Sequence, residues 1–217
     1  MSTIETPESP QRLDEPPVIA EPARRRWLTA GAGSAVVLVA LAAAGYGIFQ
    51  TVSAKPAEPY GGTPPWSVPD DPAPGMKAAG LTAGPMGTAE HYHAHLSVFV
   101  DGKAVEVPAN IGIDGEDMTP VHTHDARGVI HVESRAKGET YTLGQIFEQW
   151  GVTLSPNQLG ALRTGNGKVL TTQVDGKPFT GDPASIVIKA HEQISLVYGV
   201  PDPSFTPPSS FSFKPEE

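Results

Sequence analysis

His91-Tyr92-His93-Ala94-His95-Leu96-Ser97-Val98-Phe99-Val100-Asp101-Gly102-Lys103-Ala104-Val105 is the stretch on which the fold turns. Alternate residues of a strand share a face, so Leu96, Val98 and Val100 point one way and His91, His93 and His95 the other. Asp101-Gly102 then interrupts the alternation, and Val105 and Val107 resume it. Two alternating runs around Asp-Gly predict a hairpin with a type I′ turn, because both turn positions require positive φ.

Downstream, Val129-Ile130-His131-Val132 reads as a third strand. Thr142-Leu143-Gly144-Gln145 has the spacing of a capping box, and Leu143, Ile146, Phe147 and Trp150 then line one helix face. Gly151 stands where a left-handed glycine ends a helix. Val169–Val174 reads as a strand, Asp175-Gly176 as a second hairpin turn, and Ile186–Ile188 and Ile194–Tyr198 as two further strands. One main helix against a small mixed sheet predicts an α+β domain over residues 89–200. Its closing strands resemble those of β-grasp domains.

Outside this region the composition changes. Gly and Pro number 23 each in 217 residues, and charged residues make up only 18%. One compact fold from end to end is not expected of such a chain. Residues 1–26 read as a disordered tail ending in Arg24-Arg25-Arg26. No charge occurs between Arg26 and Lys55, and the apolar run over 27–49 is long enough to cross a bilayer. Three arginines before the run and one lysine after it place the N-terminus in the cytoplasm and the remainder outside. The competing reading is a signal removed near Val52-Ser53-Ala54, and Arg25-Arg26-Trp27-Leu28 resembles a twin-arginine signal. The length of the run favours a retained single-pass anchor, and either route exports the C-terminal part. Residues 50–88 read as a Pro/Gly-rich spacer, and 201–217 as a tail with Phe205, Phe211 and Phe213. Those phenylalanines either pack back onto the domain or form a partner-binding segment.

The net charge of −9 argues against nucleic acid as a partner, and the absence of cysteine excludes disulfides, thiolate metal sites and thiol nucleophiles. The chemistry rests instead on histidine. All seven lie beyond residue 90, and six fall between 91 and 131. Two imidazoles two residues apart on a strand can close on one ion through ordinary rotamers. His93 and His95 form such a pair, and His122 and His124 form another in a predicted loop. His131 makes a fifth candidate ligand. His91, at the domain edge, Asp125 and Glu133 are additional ligands or groups that orient the ligands. Met118 reads as a packing residue, or as the thioether that Cu(I) would use. His191, before Glu192 in a predicted turn, reads as polar surface.

A nitrogen and oxygen donor set outside the cytoplasm suits Cu or Zn rather than Ca or Mg. With a tether and a spacer, it predicts capture or delivery of a metal ion, with a protein partner in the metal pathway. Affinity is expected to fall as pH drops through about 6.5, since protonated imidazole cannot ligate. Two alternatives stand beside this. One is a metal-dependent hydrolytic or redox enzyme, with Glu133 or Asp125 as base; no serine elbow, P-loop or His-Glu-x-x-His accompanies it. The other is a metal-free partner-binding module that docks through the phenylalanine tail.

The ordered series His-x-His-x-His-Leu (91–96), Val-Pro-Ala-Asn-Ile-Gly-Ile (107–113), His-Thr-His-Asp (122–125), Gly-Val-Ile-His-Val-Glu (128–133) and Thr-Leu-Gly-Gln-Ile-Phe (142–147) resembles a set of uncharacterised membrane-anchored or exported proteins of bacteria and archaea. The resemblance implies the domain boundaries and the importance of the histidine motifs. It implies no activity.

Overall fold

The computed structural model describes residues 61–217. The tail and anchor expected over 1–49, and the first part of the spacer, lie outside the described residues. Among the described residues no helix is long and apolar enough to cross a membrane.

Among the described residues the first helix is α1 (Ala73–Ala78). Strands β1 (Glu90–Val100) and β2 (Lys103–Val105) follow, joined by the expected turn with Asp101 at φ 48° and Gly102 at φ 77°. A small hairpin, β3 (Ile113–Asp114) and β4 (Asp117–Met118), leads to β5 (Val121–His122) and β6 (Val129–Ser134). Helix α2 (Leu143–Trp150) comes next. A three-stranded ribbon of β7 (Leu154–Ser155), β8 (Gln158–Leu159) and β9 (Leu162–Arg163) precedes β10 (Val169–Val174), β11 (Lys177–Phe179) and β12 (Gln193–Gly199). Among the described residues the protein is thus mixed α+β, mostly strands with two α-helices.

The main sheet runs β11-β10-β12-β1-β6-β5, with β2 also on β1. Its centre is the parallel pair of β1 and β12; the other ladders are antiparallel. The long β1 serves three partners. Residues 90–95 pair with β6, 98–100 with β2, and 95–100 with β12. This division puts the histidine half of β1 beside β6 and the valine half in the hairpin.

One face of the sheet is apolar. Ala94, Leu96 and Val98 of β1, Ile130 and Val132 of β6, and Ile194 and Leu196 of β12 are all buried, as are Leu143, Ile146, Phe147 and Trp150 of α2. Burying each of the larger of these side chains is worth about 1.5–3 kcal/mol, which makes this layer the main support of the fold. The helix begins as expected: the Thr142 N–H donates to Gln145 Oε1 at 2.9 Å. It ends at Gly151 with φ 71°.

Three expectations need correction. The histidine loop over 121–125 begins as a strand, because β5 pairs with β6 through Val121–Val132 and His122–His131. Ile186–Ile188 is not a strand; a single bridge joins Val187 to Thr142, while Ile186 and Ile188 point into the core. Nor is the Pro/Gly-rich segment an extended spacer from residue 61 onward. Trp66 and Met76 are buried, Trp66 packs edge-on against Trp150 with ring centroids 5.7 Å apart, and the Trp150 indole N–H donates to the Trp66 carbonyl. Scattered prolines do not prevent a segment from docking when it carries a tryptophan that can be buried.

The tail over 201–217 packs back onto the domain. Phe205 meets Phe99 edge-on at 5.1 Å, Ser195 Oγ donates to the Pro208 carbonyl, and Phe211 stacks on His95 with centroids 3.7 Å apart and planes 7° from parallel. Phe99, Ser195 and His95 lie on the sheet face opposite α2, so the tail covers part of the polar face.

Candidate metal centre

Register assembles the site. In the β1–β6 ladder His93 lies opposite His131 and His91 opposite Glu133; in the β5–β6 ladder His122 lies opposite His131. Side chains opposite one another on adjacent strands share a face. Three imidazoles therefore stand abreast across three strands, with His91 and Glu133 in the next row and His124 two residues beyond His122. Ile130 and Val132 alternate to the apolar face, so burial of the core fixes which way the ligands point.

Two sets of donor atoms draw together. One comprises His122, His124, His131 and Glu133, and the other His91, His93 and His131; within each set the donor atoms lie within 4.8 Å of one another. Short separations run through both. His122 Nε2 is 3.1 Å from His124 Nε2, His91 Nε2 is 3.1 Å from His93 Nε2, and His93 Nε2 is 3.0 Å from His131 Nδ1. Two nitrogens on one ion, with bonds of about 2.0–2.1 Å, are separated by about 2.9 Å at a right angle and about 3.4 Å at a tetrahedral angle. The observed spacings fall in that interval.

Tautomers are fixed from outside the cluster. His122 Nδ1 lies 2.8 Å from the Thr119 carbonyl oxygen, and His93 Nδ1 lies 2.8 Å from the Glu217 backbone oxygen. A carbonyl only accepts, so each Nδ1 carries the proton and each Nε2 presents its lone pair inward. Thr119 is itself held from α2: its Oγ1 is 2.7 Å from Gln149 Oε1, and Gln149 Nε2 donates to the Val121 carbonyl. The Val107–Ile113 segment backs the loop. Thr123 donates its N–H to the Ile111 carbonyl and its hydroxyl to the Pro108 carbonyl.

Burial keeps these rings neutral. The His122 side chain is fully buried and its pKa falls to about 4, chiefly through desolvation; His131 falls to about 3 through desolvation and then the neighbouring imidazoles, His93 first. His93 is lowered for the same leading reason. Neutral imidazole is the ligating form. Among them sits Glu133, 4% exposed, its Oε1 3.4 Å from His91 Nε2 and its Oε2 3.8 Å from His122 Nε2. Among the described residues Glu133 Oε2 is the buried side-chain oxygen or nitrogen with no hydrogen-bond partner. An unpaired buried carboxylate is costly, and a bound cation is what would offset it. The residues present could hold a metal ion.

Not every residue expected from sequence belongs here. His95 has both ring nitrogens against carbonyl oxygens, Nδ1 at 2.7 Å from Gln193 Oε1 and Nε2 at 2.7 Å from the Arg127 backbone oxygen. With both ring nitrogens turned to these oxygens, His95 presents neither to the cluster, so the pair on this strand is His91 with His93, not His93 with His95. Asp125 turns to Arg127, taking its Nε at 2.8 Å and its backbone N–H at 2.9 Å. Met118 lies in β4 opposite Ile113, its carbonyl accepting from Gly84 and Arg135. His191 is exposed, as expected of polar surface, with Nε2 3.0 Å from the Glu217 backbone oxygen.

Sequence reasoning missed the residues that orient the cluster. Arg127 pairs with the Glu217 carboxylate, which holds that carboxyl down at about 2. Thr119 and Gln149, both buried, carry no motif; a buried glutamine on the apolar side of an amphipathic helix was the one available signal. A concavity of about 350 Å³ lined by His91, His93, His124, His131, Glu133 and Glu217 opens over the cluster. No protein-family model matches the chain, and no curated protein or solved structure is detectably similar to it.

Proposed function

We propose that this is a single-pass membrane-anchored protein whose extracytoplasmic domain binds a transition-metal ion, Cu or Zn, through its histidine cluster for capture or delivery. The observation that carries the reading is Glu133 Oε2, buried without a hydrogen-bond partner beside neutral imidazoles. It is the kind of atom a cation would satisfy. Nitrogen-rich donors with one carboxylate suit Cu(II) and Zn(II), and the Irving–Williams order favours Cu(II) over Zn(II). The anchor reading rests on the arginine-flanked uncharged run over 27–49. The sheet supports the finer β-grasp reading: β2-β1-β12-β10-β11 with a parallel centre, and α2 between the opening hairpin and the closing strands.

The test is metal analysis of the full chain after dialysis against Cu(II) and Zn(II), beside a His122→Ala/His131→Ala variant. Stoichiometric retention by the parent and loss in the variant supports the reading; equal, trace metal in both ends it. Topology is testable apart from metal. The chain has no cysteine, so single cysteines placed at Ser2 and Ser210 are clean reporters. A membrane-impermeant maleimide applied to intact cells should label position 210 and spare position 2.

A further inference from the structure

The donors are spread too widely to close on one ion. Ligands to one ion at about 2.0–2.1 Å lie no more than about 4.2 Å apart. The cluster instead resolves into two sets that meet at His131. Each has its own His-x-His pair with a 3.1 Å nitrogen–nitrogen separation, His122 with His124 and His91 with His93. The Glu133 carboxylate divides between them, Oε1 toward His91 at 3.4 Å and Oε2 toward His122 at 3.8 Å. His131 Nδ1 stands 3.0 Å from His93 Nε2, and its ring stacks on His122 at 5.6 Å between centroids.

We propose that the site holds two first-row transition-metal ions side by side, with the Glu133 carboxylate bridging them through one oxygen each. This rests on the metal-binding reading above and specifies its capacity. His122, His124 and Glu133 Oε2 define one position. His91, His93 and His131 Nδ1 define the other, with Glu133 Oε1 on its edge. A bridging carboxylate places such ions about 3.5–4 Å apart, close enough for two Cu(II) spins to couple. One negative bridging group between two dications also explains why a carboxylate, rather than a sixth imidazole, stands in the middle of the cluster.

Each set contains one exposed histidine that the other lacks, His124 and His91 respectively. Replacing either removes a ligand without opening the core. The experiment is titration of the chelator-stripped full chain with Cu(II) at pH 7.5, read by bound-metal stoichiometry and by electron paramagnetic resonance. Expected are two equivalents bound, and at two equivalents a dipolar-broadened spectrum with a half-field transition. His91→Ala and His124→Ala should each hold one equivalent with an isolated-ion spectrum. The double variant should retain neither tightly. One equivalent in the parent overturns the second ion and leaves single-ion binding standing. Two equivalents with isolated spectra overturn the bridge. Two equivalents kept by either single variant overturn the assignment of positions. No copper bound at all sinks the metal reading itself.

Discussion

His93 and His131 face each other across the antiparallel β1–β6 ladder, with His93 Nε2 3.0 Å from His131 Nδ1. The pair is the joint between two motifs that are 38 residues apart in the chain. Its consequences are first electrostatic: two imidazoles this close and this shielded cannot both become cations.

The metal-free protein should therefore lose stability in acid. The folded-state pKa values of His122 and His131, about 4 and about 3, lie below the 6.5 of the unfolded chain. Between those values the unfolded state binds more protons, so stability is complete above pH 6.5 and is lost as pH falls from 6.5 toward 4 and 3. Each group contributes a slope of up to about 1.4 kcal/mol per pH unit in that window. Thermal melts in chelator at pH 7.5, 6 and 5 should show a monotonic fall in Tm. A Tm equal at pH 7.5 and pH 5 would count against neutral buried rings. The same depression moves the pH at which protons displace metal. Sequence alone sets that window near 6.5, but the buried ligands His122 and His131 resist protonation to lower pH. Affinity should decline gradually below pH 6.5 rather than collapse there.

How far the chain announced this arrangement is visible at particular residues. Leu96 and Val98 alternate with His93 and His95, and Asp101-Gly102 closes a hairpin, so β1, β2 and the side on which the histidines stand could be read locally. The face of α2 was equally plain from Leu143 to Trp150. What could not be read was pairing. That β6 takes residues 90–95 of β1, and β5 the other edge of β6, depends on nonlocal register. Hence His91 was undervalued and His95 overvalued: they share a face, but only His91 stands opposite Glu133, while Arg127 and Gln193 close on His95. Trp66, in a proline-rich context, was hidden by composition.

Gln149 should matter to the site although it touches no candidate ligand. It is 1% exposed on α2 and holds Thr119, whose carbonyl takes the His122 Nδ1 proton. Gln149→Met keeps the volume and removes both hydrogen bonds from α2, leaving the Thr119 hydroxyl and the Val121 carbonyl held by each other, 2.8 Å apart. A loss of about 1–3 kcal/mol in stability is expected, with metal affinity reduced about 10–100-fold, as for other groups that orient a ligating histidine. Denaturant melts and competition with a chelator dye read the two effects. Unchanged affinity in a folded variant would mean that the His122 ring needs no such support.

Removal of residues 205–217 should act on the site as well as on the fold. The tail contributes Phe211 on His95, the Glu217 backbone oxygen on His93 Nδ1, and the Glu217 carboxylate on Arg127. Without it His93 loses the acceptor that fixes its tautomer, and the concavity over the cluster opens. The truncated chain should release metal to a chelator several-fold faster and melt at a lower temperature. If the tail instead serves only a partner, the release rate will not change.

Glu133→Gln separates the cost of the carboxylate from its use. In the metal-free protein Glu133 is a buried carboxyl group with one oxygen unpartnered. Breaking up such a burden with an isosteric neutral amide relieves desolvation, though the new N–H₂ must find an acceptor among the surrounding rings. The metal-free variant should therefore be as stable as the parent or more so. With metal the sign reverses. Ligand-bound stabilisation grows as the logarithm of metal over Kd, so a variant that lost the anionic ligand should gain a smaller rise in Tm on adding Cu(II). A hundredfold weaker Kd removes about 2.7 kcal/mol of that gain at saturating metal. Relative to the parent, the metal-free melt should hold or rise, and the rise in Tm on adding metal should shrink. A variant destabilised in both states by the same amount would show that Glu133 is held for the fold alone.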